Sequence, residues 1–96
     1  MPQTLVRLLK FADMVKEFGS ESTLSVGTAT ASVVPKGVYL THLATNTRAE
    51  YSPDGSTWRV LFVAGSGGLL ISDGSNVRLY NTSTASAEIS YLLQIK

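Results

Sequence analysis

Arg48-Ala-Glu-Tyr-Ser-Pro-Asp-Gly-Ser-Thr-Trp-Arg-Val-Leu-Phe-Val63 decides how this chain is read. Ala49 and Tyr51 alternate with Arg48 and Glu50. After Ser52-Pro53-Asp54-Gly55-Ser56, Trp58, Val60 and Phe62 alternate with Arg59, Leu61 and Val63. A period of two is the strand signature, so the stretch is a pair of strands joined by a turn. Pro53 presets φ for the first central turn position, Asp54 can bond back to the backbone, and Gly55 accepts positive φ without a Cβ clash. The only tryptophan, Trp58, is expected as a core anchor, facing inward with Tyr51 and Tyr91.

Outward from this hairpin the β pattern continues. Leu24–Val34 is β-like, with small side chains on both faces that suit close approach of a second sheet or subunit. Pro35-Lys36-Gly37 is a turn. In Val38–Thr45, Val38, Leu40, His42 and Ala44 share one face and Tyr39, Thr41 and Leu43 the other. Apolar residues on both predict a strand covered on both sides. Gly65-Ser66-Gly67-Gly68 reads as a loop. A phosphate cradle would run from a strand into a helix, and here another strand follows. Asp73-Gly74 between Leu69–Ser72 and Asn76–Asn81 predicts a second hairpin. In Ala87–Ile95 the odd positions Ala87, Ile89, Tyr91, Leu93 and Ile95 are expected to line the core of a central strand.

The N-terminal part differs. In residues 4–18, Leu8, Phe11, Val15 and Phe18 recur at spacings of 3, 4 and 3, and Leu5 and Ala12 widen the stripe. Arg7, Lys10, Asp13, Lys16 and Glu17 lie mostly off it. Gly19 follows as a C′ residue, and Ser20–Thr23 is a linker. A helix of four turns is marginal alone in water. The stripe therefore either covers one side of its own sheet or pairs with copies of itself. Leu8, Phe11, Val15 and Phe18 are the candidate oligomer interface. The fold class predicted is mainly β: a small antiparallel sandwich or barrel of six to seven strands with one N-terminal α-helix. Residues 1–19 form the helix and 20–96 the β domain.

Composition narrows the function. Ninety-six residues make one domain, which buries roughly 60–65% of its unfolded surface and gains from oligomerising. Eight basic and seven acidic residues give net charge +1, and the basic ones are scattered. Nucleic-acid binding needs them clustered. There is no cysteine, hence no disulfide framework or thiolate metal site. Lys10 and Asp13 interrupt the apolar character of the first residues, so no secretion signal is expected, and no apolar run reaches the ~18 residues of a membrane helix.

Candidate chemistry is sparse. His42 is the only histidine, and Ser66 lacks the context of a nucleophile elbow. Asp54 and Asp73 each precede a glycine and read as turn formers. Glu50 and Glu88 would pair only if their strands adjoin. Of the aromatic residues, Tyr80 and Tyr39 are expected at the surface, where they would suit a glycan. Asn81-Thr82-Ser83 fits the glycosylation sequon. No catalytic, cofactor or metal residues are predicted.

Three segments in order carry a resemblance: Val33-Val34-Pro35-Lys36-Gly37-Val38-Tyr39, Glu50-Tyr51-Ser52-Pro53-Asp54-Gly55-Ser56-Thr57-Trp58, and Ser72-Asp73-Gly74-Ser75-Asn76-Val77-Arg78. Together they resemble the small β-sandwich modules of tailed-bacteriophage virions, found as head decoration proteins and fibre or spike domains. The leading helix departs from the simplest of these. The resemblance implies a non-enzymatic structural protein of the virion, made in the bacterial host cytoplasm. It would be often trimeric, bind a capsid or tail protein, and engage neither nucleic acid nor membrane. The alternative is a carbohydrate- or receptor-binding module of a fibre or spike.

Overall fold

The computed structural model describes residues 21–95. The N-terminal stripe, with Leu8, Phe11, Val15 and Phe18, lies outside the described residues. Eight strands follow: β1 (Glu21–Val26), β2 (Ala31–Val33), β3 (Gly37–His42), β4 (Thr47–Tyr51), β5 (Arg59–Phe62), β6 (Gly67–Ser72), β7 (Val77–Asn81) and β8 (Glu88–Gln94). They form two four-stranded antiparallel sheets, sheet A in the order β1-β8-β3-β6 and sheet B in the order β2-β7-β4-β5. The pairings nest: β1 with β8, β2 with β7, β3 with β6, β4 with β5. This is one long antiparallel hairpin folded over on itself, with β3–β8 and β4–β7 closing each sheet. The topology is the eight-stranded jelly roll.

The mainly β sandwich is as the sequence predicts, with one strand more than the upper expectation. The extra strand comes from Leu24–Val34, which is two strands. Gly27–Thr30 turns the chain, with Ala29 at φ 49° and the Thr30 hydroxyl donating to the Gly27 carbonyl at 2.8 Å. Pairing also starts earlier than the Ser20–Thr23 linker allows, because β1 begins at Glu21.

The core lies between the sheets. Val26, Val34, Tyr39, Leu43, Ala49, Leu70, Val77, Leu79 and Leu92 form it, with Leu24 and Phe62 packed against it. Tyr39 is 4% exposed, and its hydroxyl donates to the Pro35 carbonyl at 3.0 Å. The expectation of a surface Tyr39 is therefore wrong: a tyrosine inside a sandwich is tolerated once its hydroxyl finds a carbonyl. Gly67 permits β6 to close on β3, since a Cβ there would stand 2.4 Å from the Thr41 carbonyl oxygen.

Three assignments of side are corrected. The register shifts by one residue between Ala49, opposite Phe62, and Glu50, opposite Val60. This bulge at Leu61 reverses the alternation on β5. Phe62 reaches the core, while Val60 and Trp58 go to the outside. Tyr51 is exposed at the strand end. In β8 the even positions Ser90 and Leu92 face the core, and Ile89 and Tyr91 stand exposed on the outer face. Asp73-Gly74 does not close a hairpin. β6 belongs to sheet A and β7 to sheet B, so this turn carries the chain across the sandwich.

These assignments rank two substitutions. Leu79→Ala should cost about 2–5 kcal/mol, the range for a buried leucine that leaves a cavity. Trp58→Ala should cost less, because the indole is only half-buried. Urea unfolding of both variants measures the order; a larger loss at Trp58 would restore the indole to the core.

Candidate functional site

The two outer faces of the sandwich differ in chemistry. On sheet B, the β4–β7 register sets Arg48 opposite Tyr80 and Glu50 opposite Arg78. Their neighbours Thr47, Ala49, Val77 and Leu79 are buried beneath, so alternation sends all four outward. Glu50 is the centre. Its Oε2 accepts from Arg48 Nε at 2.6 Å and its Oε1 from Arg78 Nε at 2.8 Å. The Glu50 side chain is only 3% exposed, whereas the two arginine side chains are 39% and 24% exposed. The Arg78 guanidinium lies 3.9 Å from the Trp58 ring centroid. Arg48 lies 5.1 Å from the Tyr80 ring centroid and Arg78 5.7 Å from it. The outward shift of Trp58 is what assembles this cluster. The sequence signal that would have found it is the pairing of two cationic positions with two aromatic ones around a single acid, given the strand register.

Two arginines on one carboxylate leave a net positive charge. Both Nε atoms are used on Glu50, and each guanidinium carries further N–H donors on its Nη atoms. The cluster can therefore donate hydrogen bonds to carbonyl or carboxylate oxygens against an aromatic backing. Trp, Tyr and Arg are the side chains enriched at the energetic centres of protein interfaces. Cation–π contacts contribute about 0.5–1 kcal/mol at exposed sites and more as water is excluded.

Sheet A has an apolar outer face. Register sets Leu93, Leu40 and Leu69 side by side across β8, β3 and β6, and Val38 beside Ile71. The Ile95 N–H donates to the Val38 carbonyl at 2.9 Å, which continues that second row. His42 stands exposed on the same face, opposite Tyr91.

The candidate acids and hydroxyls resolve into structural roles. Asp54 Oδ1 accepts from the Ser56 and Thr57 N–H groups at 2.8 Å each and from Ser52 Oγ at 2.9 Å. The Thr57 N–H contributes most, then Ser56 and Ser52, and together they lower the Asp54 pKa to about 2. Asp73 repeats the pattern, its Oδ1 accepting from Asn76 N–H at 2.7 Å and Ser75 N–H at 2.9 Å, which also lowers its pKa. The two turns touch: Asn76 Nδ2 donates to the Ser52 carbonyl at 2.6 Å. Ser66 Oγ donates to the Val63 carbonyl at 2.7 Å. Glu50 and Glu88 sit on different sheets, and Glu88 accepts from Asn46 Nδ2 at 3.2 Å. Asn81 is fully buried. Both its amide hydrogens are used, on the Val26 carbonyl at 3.1 Å and the Ser86 carbonyl at 3.0 Å, so the sequon is not presented for glycosylation. Among the described residues no group of three His, Cys, Asp or Glu side chains is placed to hold a metal ion.

No protein-family model, curated protein or solved structure matches the chain.

Two predictions follow from the geometry. Glu50→Ala should cost about 1–3 kcal/mol, because it strips a buried acceptor from two charged donors. Arg48→Ala should cost less, its side chain being the more exposed. Denaturant midpoints decide the order. For Asp54 the folded pKa lies below the ordinary value of 3.8, so its stabilisation is complete above that value and is lost as pH falls through about 2. The stability gap between the wild type and Asp54→Asn should narrow over this interval. A gap independent of pH would remove the charge from the turn's role.

Proposed function

We propose that the chain is a non-enzymatic structural protein of a phage virion, a capsid decoration protein or a head or tail accessory protein. It assembles as a homo-oligomer, a trimer being favoured, and binds a repeating protein surface. The observation that carries this reading is the outside of the sandwich. Val60, Leu61 and Val63 on one edge and Ile89 and Tyr91 on β8 are exposed large hydrophobic residues. Several large apolar side chains left exposed along one strand mark contact with other protein. Three of these residues, Val60, Leu61 and Val63, belong to or follow β5, which among the described residues is an edge strand of sheet B, and an edge strand presents backbone groups to a neighbour.

Two further features support it. The ordered turn segments resemble virion β modules, and the jelly roll is an architecture shared by viral capsid and lectin domains. Fold alone does not assign function, and the exposed apolar surface favours the capsid-like use. An oligomer that engages several symmetry-related sites gains effective concentration, so weak single contacts suffice.

A second reading, a carbohydrate- or receptor-binding module, is favoured by the Trp58–Arg78–Glu50–Arg48–Tyr80 cluster. Aromatic rings beside guanidinium donors also suit a sugar.

Mass in solution together with co-sedimentation tests both. Intact oligomer should co-sediment saturably with virions lacking this protein, and Arg78→Ala should weaken that binding if sheet B is the contact face. A monomer that ignores the particles but binds a glycan saturably, with loss on Tyr80→Ala, would replace the structural reading by the receptor one.

A further inference from the structure

We infer that the outer face of sheet A is the seat of the chain's own N-terminal stripe. Residues 4–18 would lie across the strands with Phe18 near Leu93 and Phe11 and Ala12 near Leu69. This inference does not depend on which particle or partner the protein binds.

Four observations carry it. The first is the face itself. Leu93, Leu40 and Leu69 form one row, and Ile95, Val38 and Ile71 a second, with no polar side chain between them. The second is where the described chain begins. Glu21 pairs with Leu93, so residues 1–20 join sheet A at its β1 edge, one strand from the first apolar side chain. Phe18 is three residues from Glu21. At most ~3.5 Å per residue separates them along the chain, while Leu93 is about 5 Å across from Glu21. The tether brings Phe18 to this face of its own subunit.

The third is length. From Phe18 to Phe11 is seven residues, about 10 Å at helical rise. From β8 to β6 is two inter-strand steps, again about 10 Å. The whole stripe, at about 22 Å, spans the sheet. The fourth is exposure, which falls along the rows toward β8: Ile71 is 66% and Leu69 53% exposed, Val38, Leu40 and Ile95 are half-buried, and Leu93 is 0% exposed. Leu93 points away from the core formed by its neighbour Leu92 and is absent from that core cluster. The apolar surface left exposed is thus greatest at the β6 end of the rows, where the far part of the stripe would lie.

Chemistry on the two sides matches. Leu5, Leu8, Phe11, Val15 and Phe18 meet leucine, isoleucine and valine, while Arg7, Lys10, Asp13, Lys16 and Glu17 remain off the stripe. Covering the face in this way makes each subunit three-layered. It leaves β5, Ile89 and Tyr91 for contacts with other chains.

The absence of cysteine makes the test direct. Ala12→Cys with Leu69→Cys is introduced into the full-length protein and treated with a short bismaleimide. Ala12→Cys with Val33→Cys, whose second thiol is on the outer face of sheet B, is the control. Both sites are small or exposed, and far-UV spectra establish that the sheets persist. The Ala12–Leu69 pair should cross-link within one chain at least about tenfold faster than the control, as for groups held at high effective concentration. Denaturing electrophoresis should show no doubled mass. A cross-linked dimer would give the face to a second copy's stripe, and equal rates for the two pairs would leave the stripe unseated; either result overturns the inference.

Discussion

Among the described residues, six of the seven connections between strands carry the chain from one sheet to the other; β4 to β5 alone stays within its sheet. Everything at the ends of the sandwich depends on that constraint. A connection that leaves one ladder and joins another strips backbone groups of their strand partners, and those groups must find other partners, backbone or side chain. Asn81 does this between sheets, from β7 to the last carbonyl of β1, while its Oδ1 accepts from the Ser83 N–H at 2.8 Å. Ser72 Oγ donates to the Val34 carbonyl at 2.7 Å and accepts from the Gly74 N–H at 3.0 Å. Ser90 Oγ accepts from the Ala44 N–H at 3.1 Å. These buried polar residues are ties, each positioned where the chain changes layer. Such ties suit a composition rich in Ser and Thr but poor in charge.

The core they enclose is small. It is built from Val, Leu and Ala with one tyrosine, because two short sheets meeting face to face leave little volume. The large apolar residues that do not fit are on the outside: Ile71, Ile89 and Tyr91 on sheet A, Val33 and Val60 on sheet B. A domain of this size buries only a modest share of its surface. Covering outer apolar surface is then the main remaining source of stability, at roughly 25 cal/mol per Å². Folding and the covering of that surface are therefore coupled in such a chain more closely than in a large domain.

The sequence made the β class, the β4–β5 hairpin and the face-sharing of Val38, Leu40 and His42 legible, since each rests on local alternation or turn chemistry. It did not reveal which face turned inward. A period of two groups residues without saying which group meets the other sheet, and in β8 the bulkier group Ile89–Tyr91 is outside. Nor did it reveal the bulge at Leu61, where one residue reverses the alternation and places Trp58 outside. The Asp73-Gly74 turn has the chemistry of a hairpin turn, and its Asx bonds are those expected. Whether such a turn joins neighbours in one sheet or passes between sheets is decided by long-range pairing of β6 with β3 and β7 with β4, which no local signal contains. The cluster around Glu50 was hidden for the same reason. Arg48 and Glu50 are two apart in the chain, but Arg78, Tyr80 and Trp58 reach them only through register.

That cluster also has a physical property that separates it from ordinary surface charge. Lone surface arginines lose rotamer freedom when they bind, at about 0.5–1.5 kcal/mol each. Arg48 and Arg78 are already held by their Nε bonds to a buried carboxylate and by contact with aromatic rings. Much of that ordering is complete before any partner arrives. The desolvation of Glu50 is likewise borne in the fold, offset by two charge-assisted bonds. A partner oxygen that meets the Nη donors therefore gains its hydrogen bonds against a smaller entropic cost than it would on a flexible surface. The apolar outer face of sheet A offers the opposite kind of stabilisation to whatever covers it, non-directional and proportional to area.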